Sequence, residues 1–333
     1  MFLPVLIFLL SIGSVFIIAR YFLPLLKRLK LGQPIHELAP ESHRAKQGTP
    51  TMGGLMFAAV TSVLTLLFSA IHGFSVSTLL LILFSLLAMM IGLADDYTKI
   101  KRQHNRGLLW WQKVIAQLFL GFLFSIYCYY SPAIGSSIIV PFTNANWDLG
   151  IWYLPLMMLV IMFIINSANL LDGMDGLLAG TSSIASIAWA AIAMFMLLTS
   201  ATSELNDLYG ILLFCLALAG SLFAFLRYNY HPAKIFMGDT GSMFLGAAMV
   251  GVSMLLRQPL LLLLIALTMI ISSVSVIIQR IYYKLTHGKR IFLSSPIHYH
   301  FEKAGMSEPQ IVAMYSAVES GLAVLAVLSL PWI

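Results

Sequence analysis

Ten apolar runs of roughly 18 to 25 residues follow one another along almost the whole chain, each long enough to cross a hydrocarbon layer about 30 Å thick. They fall at 2–24, 53–71, 76–94, 108–130, 150–166, 177–199, 208–226, 240–256, 260–281 and 311–332. A single segment in lipid must satisfy its own backbone polar groups, so each run is predicted to be a helix. The expected fold is an all-α polytopic membrane protein of about ten transmembrane helices, with residues 1–333 forming one integral membrane domain. Only 10% of the residues are charged, against about 25% in soluble domains, which excludes a water-soluble globule. The first run, Met1 to Leu26, lacks a basic start and is too long for a secretion signal, so it reads as a retained helix. Cys128 and Cys215 lie inside apolar runs, where they serve packing rather than a disulfide or zinc site.

An even number of spans puts both termini on one side. The connections 25–52, 95–107, 167–176, 227–239 and 282–310, with their helix ends, hold every Lys and Arg except Arg257. This bias makes those five loops cytoplasmic and turns the termini outward. It also accounts for the net charge of +6 without a nucleic-acid partner. The outer connections are short and bland, apart from 131–150, where a small hairpin through 138–142 is expected. Nine of the thirteen carboxylates and seven of the eight histidines fall in the five inner connections. Lysines and arginines there can serve topology alone, but carboxylates, amides and histidines have no such use.

Loop one ends in Lys46-Gln47-Gly48-Thr49-Pro50-Thr51-Met52-Gly53-Gly54, a tight turn into the second run that suits phosphate or nucleotide contact. Lys46 can donate to a phosphate, and Thr51 can bond a ligand or cap the helix. Asp95 and Asp96 are adjacent anions whose repulsion a hard cation such as Mg2+ relieves, or which simply end a helix beside lysines. Lys99 and Lys113 can draw in a phosphate; Lys99, with Lys101, Arg102 and Arg106, is equally explained by topology, whereas Lys113 lies farther into its run. Loop three, with Asn169, Asp172, Gly173 and Asp175, contains no basic residue, so its carboxylates need a metal, a ligand or a cation from another loop. Loop four ends in Gly238-Asp239-Thr240-Gly241-Ser242, which suits a metal–phosphate complex at a helix N-terminus or an ordinary cap. In loop five, His298 and His300 can bind phosphate oxygens or shuttle protons, or lie at the interface of an amphipathic segment.

These strings, in this order, resemble the polyprenyl-phosphate N-acetylhexosamine-1-phosphate transferase superfamily, most closely its muramoyl-pentapeptide branch, over essentially the whole chain. The resemblance rests on Lys46 to Gly54, Asp95-Asp96-Tyr97, Asn169 to Gly176, Asn229 to Ser242 and Pro296 to Glu302. It implies Mg2+-dependent transfer of phospho-N-acetylmuramoyl-pentapeptide from UDP-N-acetylmuramoyl-pentapeptide to undecaprenyl phosphate, giving lipid I and UMP at the inner face of a bacterial cytoplasmic membrane. It also implies Asp95 as the base, with Asp96 and Asp239 completing a catalytic, metal-holding trio. Lys46, Thr51, Asn169, Asp172, Gly173, Asp175, Asn229, Phe236 and Gln279 resemble the nucleoside pocket, with Phe236 available to stack on uracil and nucleoside antibiotics as possible inhibitors. His298 and His300 resemble diphosphate or sugar contacts. The family usually has three successive histidines here, and Tyr299 replaces the middle one. A homodimer in contact with membrane lipids is implied as well.

Two other readings compete. A related transferase acting on UDP-N-acetylglucosamine would share most of these strings. A secondary transporter of anionic solutes would place ionisable residues at mid-membrane depth, where only Glu319 is plainly found.

Overall fold

The computed structural model describes residues 2–28, 48–73, 75–102, 107–143, 145–199 and 205–330. Twelve helices occur among them: α1 Phe2–Arg28, α2 Gly54–His72, α3 Val76–Arg102, α4 Trp110–Tyr130, α5 Tyr153–Leu171, α6 Leu177–Thr199, α7 Leu205–Asn229, α8 Gly238–Leu255, α9 Leu262–Ile265, α10 Leu267–Leu285, α11 Ile297–Lys303 and α12 Glu308–Leu328. Among the described residues eight are long and apolar enough to cross a membrane, α8 not among them, and the bent pair Pro259–Ile265 and Leu267–Leu285 makes a ninth when taken as one broken span. The expected outer hairpin forms between β1 Ser137–Ile139 and β2 Asn146–Asp148, antiparallel. Cys128 and Cys215 are buried and free.

The predicted span 240–256 forms as α8, and its weak hydropathy has a structural reason. Every residue of α8 except Asp239 is buried, so this helix meets protein rather than lipid. It packs against α3, α5 and α2. Close approach depends on small residues, as in other membrane helix pairs. A Cβ on Gly92 of α3 would collide with the Asp239 carbonyl, and one on Gly54 of α2 would collide with Gly241. The outer helices carry exposed apolar side chains such as Val5, Ile17, Leu83, Phe119 and Leu159, the surface expected in lipid.

The ninth run departs from expectation. A straight span over 260–281 is replaced by a 3-10 turn at Pro259–Leu261, the short α9, and α10 bent away by 84°. In α10, Thr268, Ser272, Ser275 and Gln279 recur at helical spacing and are buried. Ile271, Val274, Ile277, Ile278 and Ile281 face outward. Averaged hydropathy cannot see such a division between faces. Glu319 of α12, the one carboxylate deep in a span, accepts a 2.7 Å hydrogen bond from Thr268 Oγ1 beside this break. This contact ties α12 to the bend.

Helix ends also run farther than predicted. α3 continues to Arg102, so Asp95, Asp96 and Lys99 sit on helical turns rather than in a loop, and α7 continues to Asn229.

Candidate active site

Asp95, Asp96 and Asp239 come together where the last turns of α3 meet the first turn of α8; one ligand oxygen from each lies within 4.8 Å of the others. Asp95 is fully buried. Lys99, one helical turn on, reaches Asp95 Oδ2 at 2.7 Å and Asp239 Oδ2 at 3.1 Å. Lys113, from the start of α4, reaches Asp95 Oδ1 at 3.0 Å and Asp239 Oδ2 at 3.1 Å. The backbone N–H of Leu108 adds a 2.8 Å hydrogen bond to Asp95 Oδ1. Three carboxylates thus face two ammonium groups. Each lysine bridges a carboxylate of α3 to the one on α8, a task that topogenic charges do not require.

Asp96 is engaged differently from its neighbour. Its Oδ1 accepts from the Asp239 N–H at 3.2 Å, and its Oδ2 accepts from the Thr240 N–H at 2.9 Å and Thr240 Oγ1 at 2.7 Å. It therefore caps α8 from another helix and satisfies donors that a helix N-terminus leaves open. Gly238 makes this approach possible: its φ of +71° suits glycine, and a Cβ there would strike Asp96 Oδ2 and Thr51 Oγ1. Thr51 Oγ1 is buried with no hydrogen-bond partner among the described residues. Asn169, near the end of α5, bonds Ser242 Oγ at 3.0 Å and also engages Asp239.

Asp172 follows the last residue of α5. Its carboxyl is held well above the usual carboxylate range, first by desolvation and then by the negative charges of Asp239, Asp96 and Asp175. Next to it, Gly173 packs against α11. A Cβ there would contact His298 and Tyr299, and Tyr299 Oη donates to the Gly173 carbonyl at 3.0 Å. Burial, then Glu302 and Asp172, push the Tyr299 hydroxyl upward, so it stays protonated and donates. Its role at this position is a neutral hydrogen bond. His298 is fully buried.

The remaining residues of the expected pocket hold backbone. Asn229 accepts from the Gly176 N–H at 3.2 Å and donates to the Ile235 carbonyl at 2.9 Å. Phe236, half-buried, bonds through its main chain to Pro50 at 2.8 Å and Gly53 at 2.9 Å, tying loop four to the Gly-rich turn. Gln279 accepts from the N–H groups of Ile291 and Phe292 at 3.1 and 3.0 Å. His300 accepts from the Leu293 N–H at 3.1 Å. Lys46 lies outside the described residues.

Two residues not singled out from the sequence also converge here. His231 Nδ1 lies 3.3 Å from Asp175 Oδ2 and 3.1 Å from Glu308 Oε2. Glu308 in turn accepts from the Asp175 N–H, and Asp175 accepts from the Ala233 N–H at 2.9 Å. Loop three, loop four and the start of α12 are thereby locked together. Glu308 follows the N-cap Ser307 of α12, and read along the chain it looks like no more than an acidic first-turn residue.

The glycosyl transferase family 4 model matches residues 78–257, and phospho-N-acetylmuramoyl-pentapeptide-transferase signature 1 matches residues 46–57. The signature covers the turn that packs on Phe236, Met237 and Gly241. Relatives named phospho-N-acetylmuramoyl-pentapeptide-transferase include that of Clostridium novyi (strain NT), 40% identical over 92% of this chain and 91% of its own. Another is that of Shouchella clausii (strain KSM-K16), 39% identical over 98% and 97%. A third, from Listeria innocua serovar 6a, is 40% identical over 88% of each chain. With this identity sustained along nearly the whole length, and a family signature at the turn where loop one meets α8, the chain belongs to the phospho-N-acetylmuramoyl-pentapeptide-transferase family.

Proposed function

We propose that this protein moves phospho-N-acetylmuramoyl-pentapeptide from its UDP carrier onto undecaprenyl phosphate, yielding lipid I and UMP at the cytoplasmic face of a bacterial inner membrane. The carrying observation is the carboxylate–lysine cluster of Asp95, Asp239, Lys99 and Lys113 at one end of an apolar helix bundle. A water-soluble diphosphate and a lipid phosphate can both reach such a site, because it lies at headgroup depth.

In this reading Asp95 takes the proton of the acceptor phosphate, whose freed oxygen attacks the sugar-bearing phosphorus. A phosphorus–oxygen bond forms there as the bond to UMP breaks, and the leaving UMP keeps the electron pair. Lys99 and Lys113 stabilise the charge that builds on the transferring phosphoryl group. Asp96 positions the first turn of α8 and so the carboxylate of Asp239. Asp95, Asp96 and Asp239 would hold Mg2+, which offsets diphosphate charge when bound; an all-oxygen donor set and the orphaned hydroxyl of Thr51 beside it fit such an ion.

Thr51, Asn169, Asp172, Gly173, Asp175, Asn229, Phe236 and Gln279 would contact the nucleoside, His298 and His300 would contact the diphosphate or the sugar, and Lys46, outside the described residues, is assigned to the nucleoside contacts from its sequence alone. Nucleoside antibiotics would compete at the same walls, and the working unit is a homodimer. The test is a membrane assay offering undecaprenyl phosphate, Mg2+ and each nucleotide sugar in turn. Lipid-linked product from UDP-N-acetylmuramoyl-pentapeptide supports the assignment, and product from UDP-N-acetylglucosamine alone overturns it.

A further inference from the structure

The cytoplasmic end of α10 carries a second charged site, apart from the carboxylate cluster. Arg280 and Lys284 lie one helical turn apart on α10. With Tyr283 they face Arg290, Ser294 and Ser295 across a cavity of about 540 Å3. Three cations and three hydroxyls line it, and no carboxylate does. Its floor is built in, because Gln279 fastens Ile291 and Phe292 to α10 and His300 fastens Leu293.

The surroundings are apolar and exposed: Ile277, Ile281 and Leu285 on α10, with Ile291 and Leu293 on the facing segment. One face of α10 packs on the bundle and the other is exposed, so the cations sit among side chains suited to acyl chains. A soluble anion would leave those side chains in water, whereas an acidic lipid covers them and brings its phosphate to the cations. Guanidinium groups pair with phosphate oxygens in a fork, and the hydroxyls suit a polyol headgroup.

We propose that this cavity binds the headgroup of an anionic membrane phospholipid, holding the α10–α11 connection against the bilayer surface. The proposal does not depend on which nucleotide sugar the enzyme uses.

The test places the whole protein in vesicles of three parts phosphatidylcholine to one part phosphatidylglycerol, extracts it in mild detergent and quantifies the lipid that stays bound. Wild type should retain phosphatidylglycerol over phosphatidylcholine by about tenfold, and Arg280→Gln/Lys284→Gln/Arg290→Gln should bring that ratio near one. Arg280→Gln alone, at an exposed position, should lower it severalfold while the protein elutes and unfolds as wild type does. Lys101→Gln/Arg102→Gln, which removes surface charge from the end of α3, should leave the ratio unchanged. Equal loss in that control would reduce the effect to bulk surface potential and overturn the site. So would unchanged retention in the triple variant. Displacement of phosphatidylglycerol by one equivalent of polyprenyl phosphate would assign the cavity to the acceptor instead. Loss confined to binding of a soluble acidic nucleotide-sugar peptide would assign it to the donor.

Discussion

Asp96 Oδ2 receives both the backbone N–H and the hydroxyl of Thr240, at 2.9 and 2.7 Å, so a residue of α3 caps the N-terminus of α8. Asp95, its immediate neighbour, is aimed instead at Lys99 and Lys113. Adjacent carboxylates on one helical turn therefore do different work. One builds the site and the other faces what enters it.

That division predicts different responses to the same chemical change. Asp95→Asn or Asp239→Asn leaves two carboxylates for two lysines, so the fold should persist, while turnover falls by at least about 100-fold through loss of a base or of phosphoryl positioning. Asp96→Asn removes an acceptor from buried donors and should cost about 1–3 kcal/mol of stability as well as activity. Product formation and thermal unfolding, measured on the same preparations, separate the two patterns. Near-normal turnover in Asp95→Asn would remove that residue from the chemistry.

Gly238 is held in a left-handed conformation against Asp96 and Thr51. Gly238→Ala should cost about 1–2 kcal/mol for the backbone alone, with further loss from the collision of its Cβ. Gly13→Ala is the control: nothing lies within 4 Å of a Cβ there, and in mid-helix the change should be neutral or favourable by up to about 1 kcal/mol. Equal unfolding temperatures for the two variants would contradict the packing described at α8.

Tyr299→Phe removes the hydrogen bond to the Gly173 carbonyl and leaves the ring in place. The loss should be about 1 kcal/mol, appearing as a severalfold rise in KM for the nucleotide sugar with little change in kcat. A fall in kcat at unchanged KM would instead put this hydroxyl in the chemical step.

Asp172 gives a pH dependence with a definite sign. Its folded-state pKa is raised, chiefly by desolvation and then by Asp239. Its contribution is therefore fully present below the ordinary carboxylate range and is lost as pH rises through the raised value. Measured without divalent cations, Asp172→Asn should flatten the decline of unfolding temperature with rising pH relative to wild type. A steeper decline in the variant would reverse the assignment.

Much of this protein was legible in one dimension, because lipid imposes a length and an apolarity on every crossing segment. Placement of the spans, the charge bias of the inner loops and the clustering of carboxylates, amides and histidines required no coordinates. Other features were hidden for identifiable reasons. The break at α9–α10 depends on which face of a helix each Ser and Ile occupies, and a hydropathy average discards that. His231 and Glu308 join Asp175 only because loop four and the start of α12 fold against loop three.

The sequence by itself determined that the chain crosses a membrane and that its chemical residues gather on one side, since both follow from the solvent each segment must enter. Only the tertiary structure decided that Asp95 and Asp96 divide their tasks, that Tyr299 holds a glycine carbonyl, and that two lysines bridge α3 to α8. Those outcomes depend on distances of about 3 Å between residues as many as 144 positions apart, and they exist only once α8 is enclosed by its neighbours.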